Sequence, residues 1–130
     1  MNLVKKGILF FIIIFISNFI AAQNTPNVLT QTLSQKAKTT ELKRVLKKRP
    51  FLVDVRTPEE FAQGTVKGAV NIPLDQIQNQ LSKFKGKKNI VVFCRTGNRS
   101  TQAKAILEQN GFTNITNGGT WQDVNAIINK

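Results

Sequence analysis

The chain has 130 residues, 41% hydrophobic and 20% charged, with 19 Lys and Arg against 7 Asp and Glu, a net charge of +12 at pH 7. That length holds one domain, with a core large enough to fold without disulfides or a metal staple. There is no His and a single Cys, Cys94, which excludes His-based triads, His or thiolate metal cages and any internal disulfide.

Residues 1–22 read as a signal peptide. Lys5 and Lys6 precede the apolar run "GILFFIIIFISNFI", and small residues follow at Ala21 and Ala22, near which cleavage is expected. The run has 14 residues, interrupted by Ser17 and Asn18, and a comfortable membrane span needs ~20. Export to a bacterial periplasm is therefore expected, with no stable membrane association after cleavage; an uncleaved anchor is the alternative. Setting aside Lys5 and Lys6 leaves 17 basic residues against 7 acidic, near +10. The excess falls mainly in "LKRVLKKR" (residues 42–49) and "KFKGKK" (residues 83–88). Such charge invites a nucleic-acid reading. No nucleic-acid motif accompanies it, so the runs are read as solvated surface with a mild steering field for small anions.

Residues 23–32, "QNTPNVLTQT", read as a linker, and the domain is expected over residues 33–130. "LSQKAK" (residues 33–38) is a candidate short edge strand. Thr39 or Thr40 is expected to cap a helix whose Leu42, Val45 and Leu46 share one face, ended by Pro50. "FLVDV" (residues 51–55) suits a buried strand. Thr57 as cap, Pro58 at the first position and Glu59 and Glu60 in the first turn predict a helix. A turn marked by Gly64 and Gly68 leads to a short strand, "AVNIP" (residues 69–73). Leu74, Ile77, Leu81 and Phe84 recur at helical spacing. "NIVVF" (residues 89–93) is the most strand-like segment. Beyond it Ala103, Ile106 and Leu107 mark a helix with Gly111 at its C-terminal cap. "FTNIT" (residues 112–116) is expected as the last strand. "NGG" then turns into a closing helix bearing Trp121, Val124, Ile127 and Ile128. Alternating strands and helices predict an α/β fold: a small, mostly parallel sheet with helices on both faces and ligands outside the carboxyl ends of the strands. Cys94 sits at such an end.

The stretch "IVVFCRTGNRS" sets that Cys before a short loop and a helix start. A thiol is nucleophilic as its thiolate, and a free Cys with pKa ~8.5 is mostly protonated at neutral pH. The loop supplies unpaired helix N–H groups, a glycine (Gly97) that lets successive amides converge on an anion, and the cations Arg95 and Arg99. A Cys that closes an apolar strand also makes a good small buried hydrophobe. The loop composition favours the reactive thiolate.

"CRTGNRS" resembles the active-site loop of the rhodanese family of sulfurtransferases, a Cys followed by four residues and an Arg. "FLVDVRTPEEFAQGTVKGAVNIPL" (residues 51–74) is similar to the other signature of that family, and "NGGTW" to its Gly-Gly and Trp region. The chain departs from the family pattern at Thr65, where a His is common, and at Lys67, where a Pro is. The resemblance implies a rhodanese-like fold and an enzyme without cofactor or metal. Cys94 would take the outer sulfur of a donor such as thiosulfate, carry it as a persulfide, and pass it to a thiol, cyanide or protein acceptor. Arg95, Thr96, Gly97, Asn98, Arg99 and Ser100 would form the anion cradle, with the arginines drawing in a small anionic donor. Asp54, Arg56 and Glu60 would give structural support, Arg56 pairing with Glu60. Two readings stand beside it: a non-catalytic persulfide carrier or binding module, and a Cys-dependent phosphatase. The phosphatase loop would need five residues between Cys and Arg, where this one has four, from Arg95 to Asn98.

Overall fold

The structure, a computed structural model, describes residues 27–130. The signal peptide expected over residues 1–22 lies outside the described residues. Among those described, no helix is long and apolar enough to cross a membrane.

Four strands lie in one parallel sheet: β1 (Phe51–Asp54), β2 (Val70–Asn71), β3 (Ile90–Cys94) and β4 (Ile115–Thr120), in the order β2-β1-β3-β4. Parallel strands need crossovers, and these carry α2 (Pro58–Ala62), a 3-10 segment (Leu74–Phe84) and α3 (Asn98–Gln109). Helices α1 (Val28–Leu46) and α4 (Trp121–Ile128) lie at the two ends of the described chain. The pleat of β3 divides the core. Ile90, Val92 and Cys94 pack with Ile77, Phe84, Ala103 and Leu107 of the 3-10 segment and α3. Val91 and Phe93 pack with Leu42, Val45 and Val124 of α1 and α4 on the opposite face. Both faces are covered, as a continuous apolar strand requires.

The fold departs from the sequence expectations in three places. The first helix begins at Val28, capped by the Asn27 side chain, and takes in the candidate edge strand and residues 28–32 of the expected linker. No Gly or Pro interrupts the chain between Pro26 and Pro50, so nothing stops helix propagation there. Thr39 and Thr40 sit inside the helix, their hydroxyls donating to the carbonyls of Gln35 and Lys36. The segment after Pro73 is a 3-10 helix broken at Gln80 (φ −122°, ψ 25°). Three residues per turn stack Leu74 on Ile77 and, after the break, Leu81 on Phe84. Last, "NGG" lies within β4 instead of ending it. Register slips beside Val92 and Phe93, which face Asn117 and Gly119, leaving Gly118 as a bulge. Gly111 does cap α3: its N–H reaches Glu108 O and that of Phe112 reaches Leu107 O, a Schellman pairing.

Candidate active site

Cys94 is the last residue of β3, and Gly97 is the N-cap of α3 in the left-handed region (φ 93°). That φ turns the Gly97 amide back on the chain, and its nitrogen lies 3.0 Å from Cys94 Sγ. No side chain caps α3, and its first turn holds no acidic residue. The sulfur takes the place of a capping oxygen. Burial raises the Cys94 pKa, but the amide and hydroxyl of Ser100 and the amides of Gly97 and Thr96 outweigh it, leaving the thiol more acidic than usual. Cys94 is fully buried, as a small strand-ending hydrophobe would be, and its sulfur also accepts the Gly97 N–H. Of the Thr96, Gly97 and Ser100 amides, that of Gly97 is the one within hydrogen-bonding distance of the sulfur. Asn98 and Thr96 are exposed at the loop surface.

The two arginines separate. Arg95 is exposed and makes no ion pair among the described residues. Arg99 reaches across to α2, where Nη1 and Nη2 lie 2.6 and 2.9 Å from the two carboxylate oxygens of Glu60. The bidentate pair holds the Glu60 carboxyl down at about 2, with the bond from the Thr57 backbone adding to the effect. Glu60 also closes the α2 capping box with Thr57. The cradle is thus tied to the helix that follows β1.

The expected Arg56–Glu60 pair does not form. Arg56 turns inward to Asp54, with Nε 3.0 Å from Oδ1 and Nη2 2.7 Å from Oδ2, and Nη2 also donates to Gly64 O. Both side chains are buried, and a buried charge needs its partner at short range. Trp121 stacks on the guanidinium, its ring centroid 5.1 Å away. Thr65 Oγ1 donates to Asp54 Oδ2 at 2.7 Å. Asp54 therefore anchors Arg56 and the turn at Gly64 and Thr65, not the Cys loop.

Asn117, not singled out in the sequence, completes the site. Its Oδ1 accepts from Ser100 Oγ at 2.8 Å and from the Gly119 amide at 2.9 Å, and its Nδ2 donates to Thr101 Oγ1 at 2.8 Å. The sequence signal for it was present but weak: a polar residue beside two glycines on the last strand.

The sequence model of the rhodanese-like domain family matches residues 38–120. The Escherichia coli (strain K12) protein named Thiosulfate sulfurtransferase PspE is 39% identical over 74 residues, covering 55% of this chain and 71% of that protein. Among solved structures, a rhodanese with anions from E. coli aligns with a TM-score of 0.52 and 39% identity, over 56% of this chain and 88% of its own. The human single-domain sulfurtransferase TSTD1 aligns with a TM-score of 0.53 and 31% identity, over 65% and 88%.

Proposed function

The chain belongs to the rhodanese-like domain family, and from that premise we propose that it is a sulfurtransferase that carries sulfur on Cys94. The observation that carries this reading is the Gly97 amide 3.0 Å from Cys94 Sγ at an otherwise uncapped helix start. A site that stabilises a sulfur anion suits both the attacking thiolate and the persulfide that follows it.

With thiosulfate as donor, the Cys94 thiolate attacks the outer sulfur. The new S–S bond forms as the old one breaks, and its electron pair leaves with sulfite. A thiol, cyanide or a protein acceptor then attacks the outer sulfur of the persulfide and returns Cys94 to the thiolate. Arg95, exposed and without an ion pair among the described residues, is the loop cation for drawing in the donor. Arg99 holds the loop through Glu60 and adds its field to the cradle. Ser100 supplies its amide and hydroxyl. Four residues between Cys94 and Arg99 make a ring sized for one added sulfur. A phosphoryl group would bring three equatorial oxygens in need of donors, so aryl phosphates are not expected to be hydrolysed.

The test is mass spectrometry of the protein after thiosulfate. The expected result is a gain of about 32 Da on Cys94, removed by cyanide and absent from Cys94→Ser. A Cys94 left unmodified by thiosulfate with no acceptor present overturns the reading. Location outside the cytoplasm rests on residues 1–22, and N-terminal sequencing of the exported protein, expected to begin near Gln23, is its check.

A further inference from the structure

Every polar atom of the Asn117 side chain ends either on the β4 bulge or on the first turn of α3. The amide orientation follows from the network. The Gly119 N–H is a donor only, so the atom facing it at 2.9 Å is the carbonyl Oδ1, and Nδ2 faces Thr101 Oγ1. Thr101 Oγ1 passes its own proton to Gly97 O at 2.8 Å. Ser100 Oγ then has three acceptors within reach: Asn117 Oδ1 at 2.8 Å, Gly97 O at 3.0 Å and Cys94 Sγ at 3.7 Å. A hydroxyl has one proton. Gly97 O already accepts from the Thr101 amide and hydroxyl, so Asn117 Oδ1 is the strongest claimant. While Cys94 keeps its proton, S–H points to Ser100 Oγ and the Ser100 proton points to Asn117. Once the sulfur is an anion it can only accept, and the Ser100 hydroxyl 3.7 Å away is a donor within its reach.

We propose that Asn117 is a positioning residue for sulfur transfer: its side-chain carbonyl holds the Ser100 hydroxyl proton while Cys94 is a thiol and releases it to the sulfur when the thiolate or persulfide forms. No atom is gained or lost in this step, only the direction of one O–H. Asn117 sets how readily Cys94 ionises and keeps the Ser100 hydroxyl in the rotamer from which it swings to sulfur. The inference deepens the reading of Cys94 as the sulfur-carrying nucleophile and rests on it. The charged groups on the elements around Cys94 are Arg95 and Arg99 beside it, Glu59 and Glu60 of α2 with Glu60 on Arg99, the Asp54–Arg56 pair at the end of β1, Asp123 in the first turn of α4, the Lys104–Glu108 pair farther along α3, and the exposed Asp75 and Lys83 of the 3-10 segment. β4 itself carries no ionisable side chain, so a substitution at Asn117 adds or removes a competitor for one proton without breaking an ion pair.

The experiment is the pH dependence of Cys94 alkylation by iodoacetamide, which needs no sulfur donor and so fails or succeeds independently of the sulfurtransferase reading. Asn117→Ala removes the competing acceptor, and the midpoint is expected to fall by about half a pH unit or more, the scale of one hydrogen bond. Asn117→Asp keeps both acceptor bonds, grips the proton harder and adds negative charge; its midpoint is expected to rise. Opposite signs from two substitutions at one position are not what loosened packing gives. The Asn117→Ala shift must also vanish when Ser100→Ala is already present. Shifts of the same sign, no shift in either variant, or an undiminished shift in the Ser100→Ala background overturn the proposal. Should Asn117→Ala fail to fold, Asn117→Asp is measured with and without Ser100→Ala, since its added charge raises the midpoint in either background: a rise that shrinks when Ser100→Ala is present supports the proposal, and an undiminished rise, a fall or no change overturns it.

Discussion

Cys94 is placed by β3 and made more acidic by α3. The strand carries it into the core side of the sheet, and the helix start turns the Gly97 and Ser100 amides on it. A free thiol ionises near pH 8.5. The Cys94 alkylation rate should therefore rise through a midpoint below that value, and the thiolate fraction at pH 7 should exceed that of a free thiol. Measuring iodoacetamide rates from pH 5 to 10 checks this, and a midpoint at or above the free-thiol value contradicts the cradle.

Glu60 has two partners that one substitution can separate. Gln still serves a capping box but cannot pair with Arg99, so Glu60→Gln removes the ion pair and spares the cap of α2. The pair is partly exposed, and its loss should cost about 0.5–1 kcal/mol at neutral pH. The sign with pH follows from the carboxyl, which is depressed from 4.5 to about 2 in the folded protein. A depressed carboxyl stabilises the fold fully above its unfolded value and loses that contribution as pH falls toward the folded one. The gap between wild type and Glu60→Gln in urea unfolding should thus be constant above pH 5 and close between about pH 4.5 and 2. A gap unchanged at pH 2 would show that the ion pair is not its source.

Among the elements, β4 shows how a strand bends to serve a site. A Cβ on Gly118 would lie 2.8 Å from Val124 Cγ2 and 3.0 Å from Val91 Cγ1, so α4 and β3 close over the bulge with no room for a side chain. Gly118→Ala should destabilise by about 1–3 kcal/mol, the cost of overpacking a filled core, measurable as a lower urea midpoint with unchanged m. Wild-type stability in this variant would mean that the α4 contact yields freely. The bulge was not legible in the sequence, since "NGG" is equally good turn chemistry. The competing fact is that Gly118 must lie between Val124 of the following helix and Val91 of the neighbouring strand, a tertiary packing that no local propensity records. Helix α2 was legible to the residue: Thr57, Pro58 and Glu60 are local signals acting within one turn, and the capping box forms. The start of α1 was misread for the opposite reason. A polar helix without breakers looks like a linker until its C-terminal half, through Leu42 and Val45, is seen docked on α4 and the sheet.

The whole molecule carries far more positive than negative charge, and its field acts on any anion approaching the exposed loop cation Arg95. Screening over ~10 Å at 0.1 M salt should weaken that attraction. Added NaCl is expected to slow alkylation of Cys94 by anionic iodoacetate and leave neutral iodoacetamide nearly unchanged, and equal salt effects on both would deny the field any part in steering.

At this scale the division between sequence and tertiary structure becomes clear. The sequence by itself determined the alternation of strands and helices and their parallel sheet. It also determined the placing of Cys94 at a strand's carboxyl end before a glycine-bearing loop. Those follow from hydrophobic periodicity, capping and turn chemistry, which act over a few residues. Only the tertiary structure decided which charges meet. Arg56 had a carboxylate two residues back and another four residues on, and burial at the end of β1 gave it Asp54. Arg99 found Glu60 across 39 positions of chain, and Asn117 reached Ser100 and Thr101 from the neighbouring strand. Such pairings depend on the distance and desolvation left when the layers close, quantities that exist only once α3 and β4 are packed beside β3 and α2 is docked on Arg99.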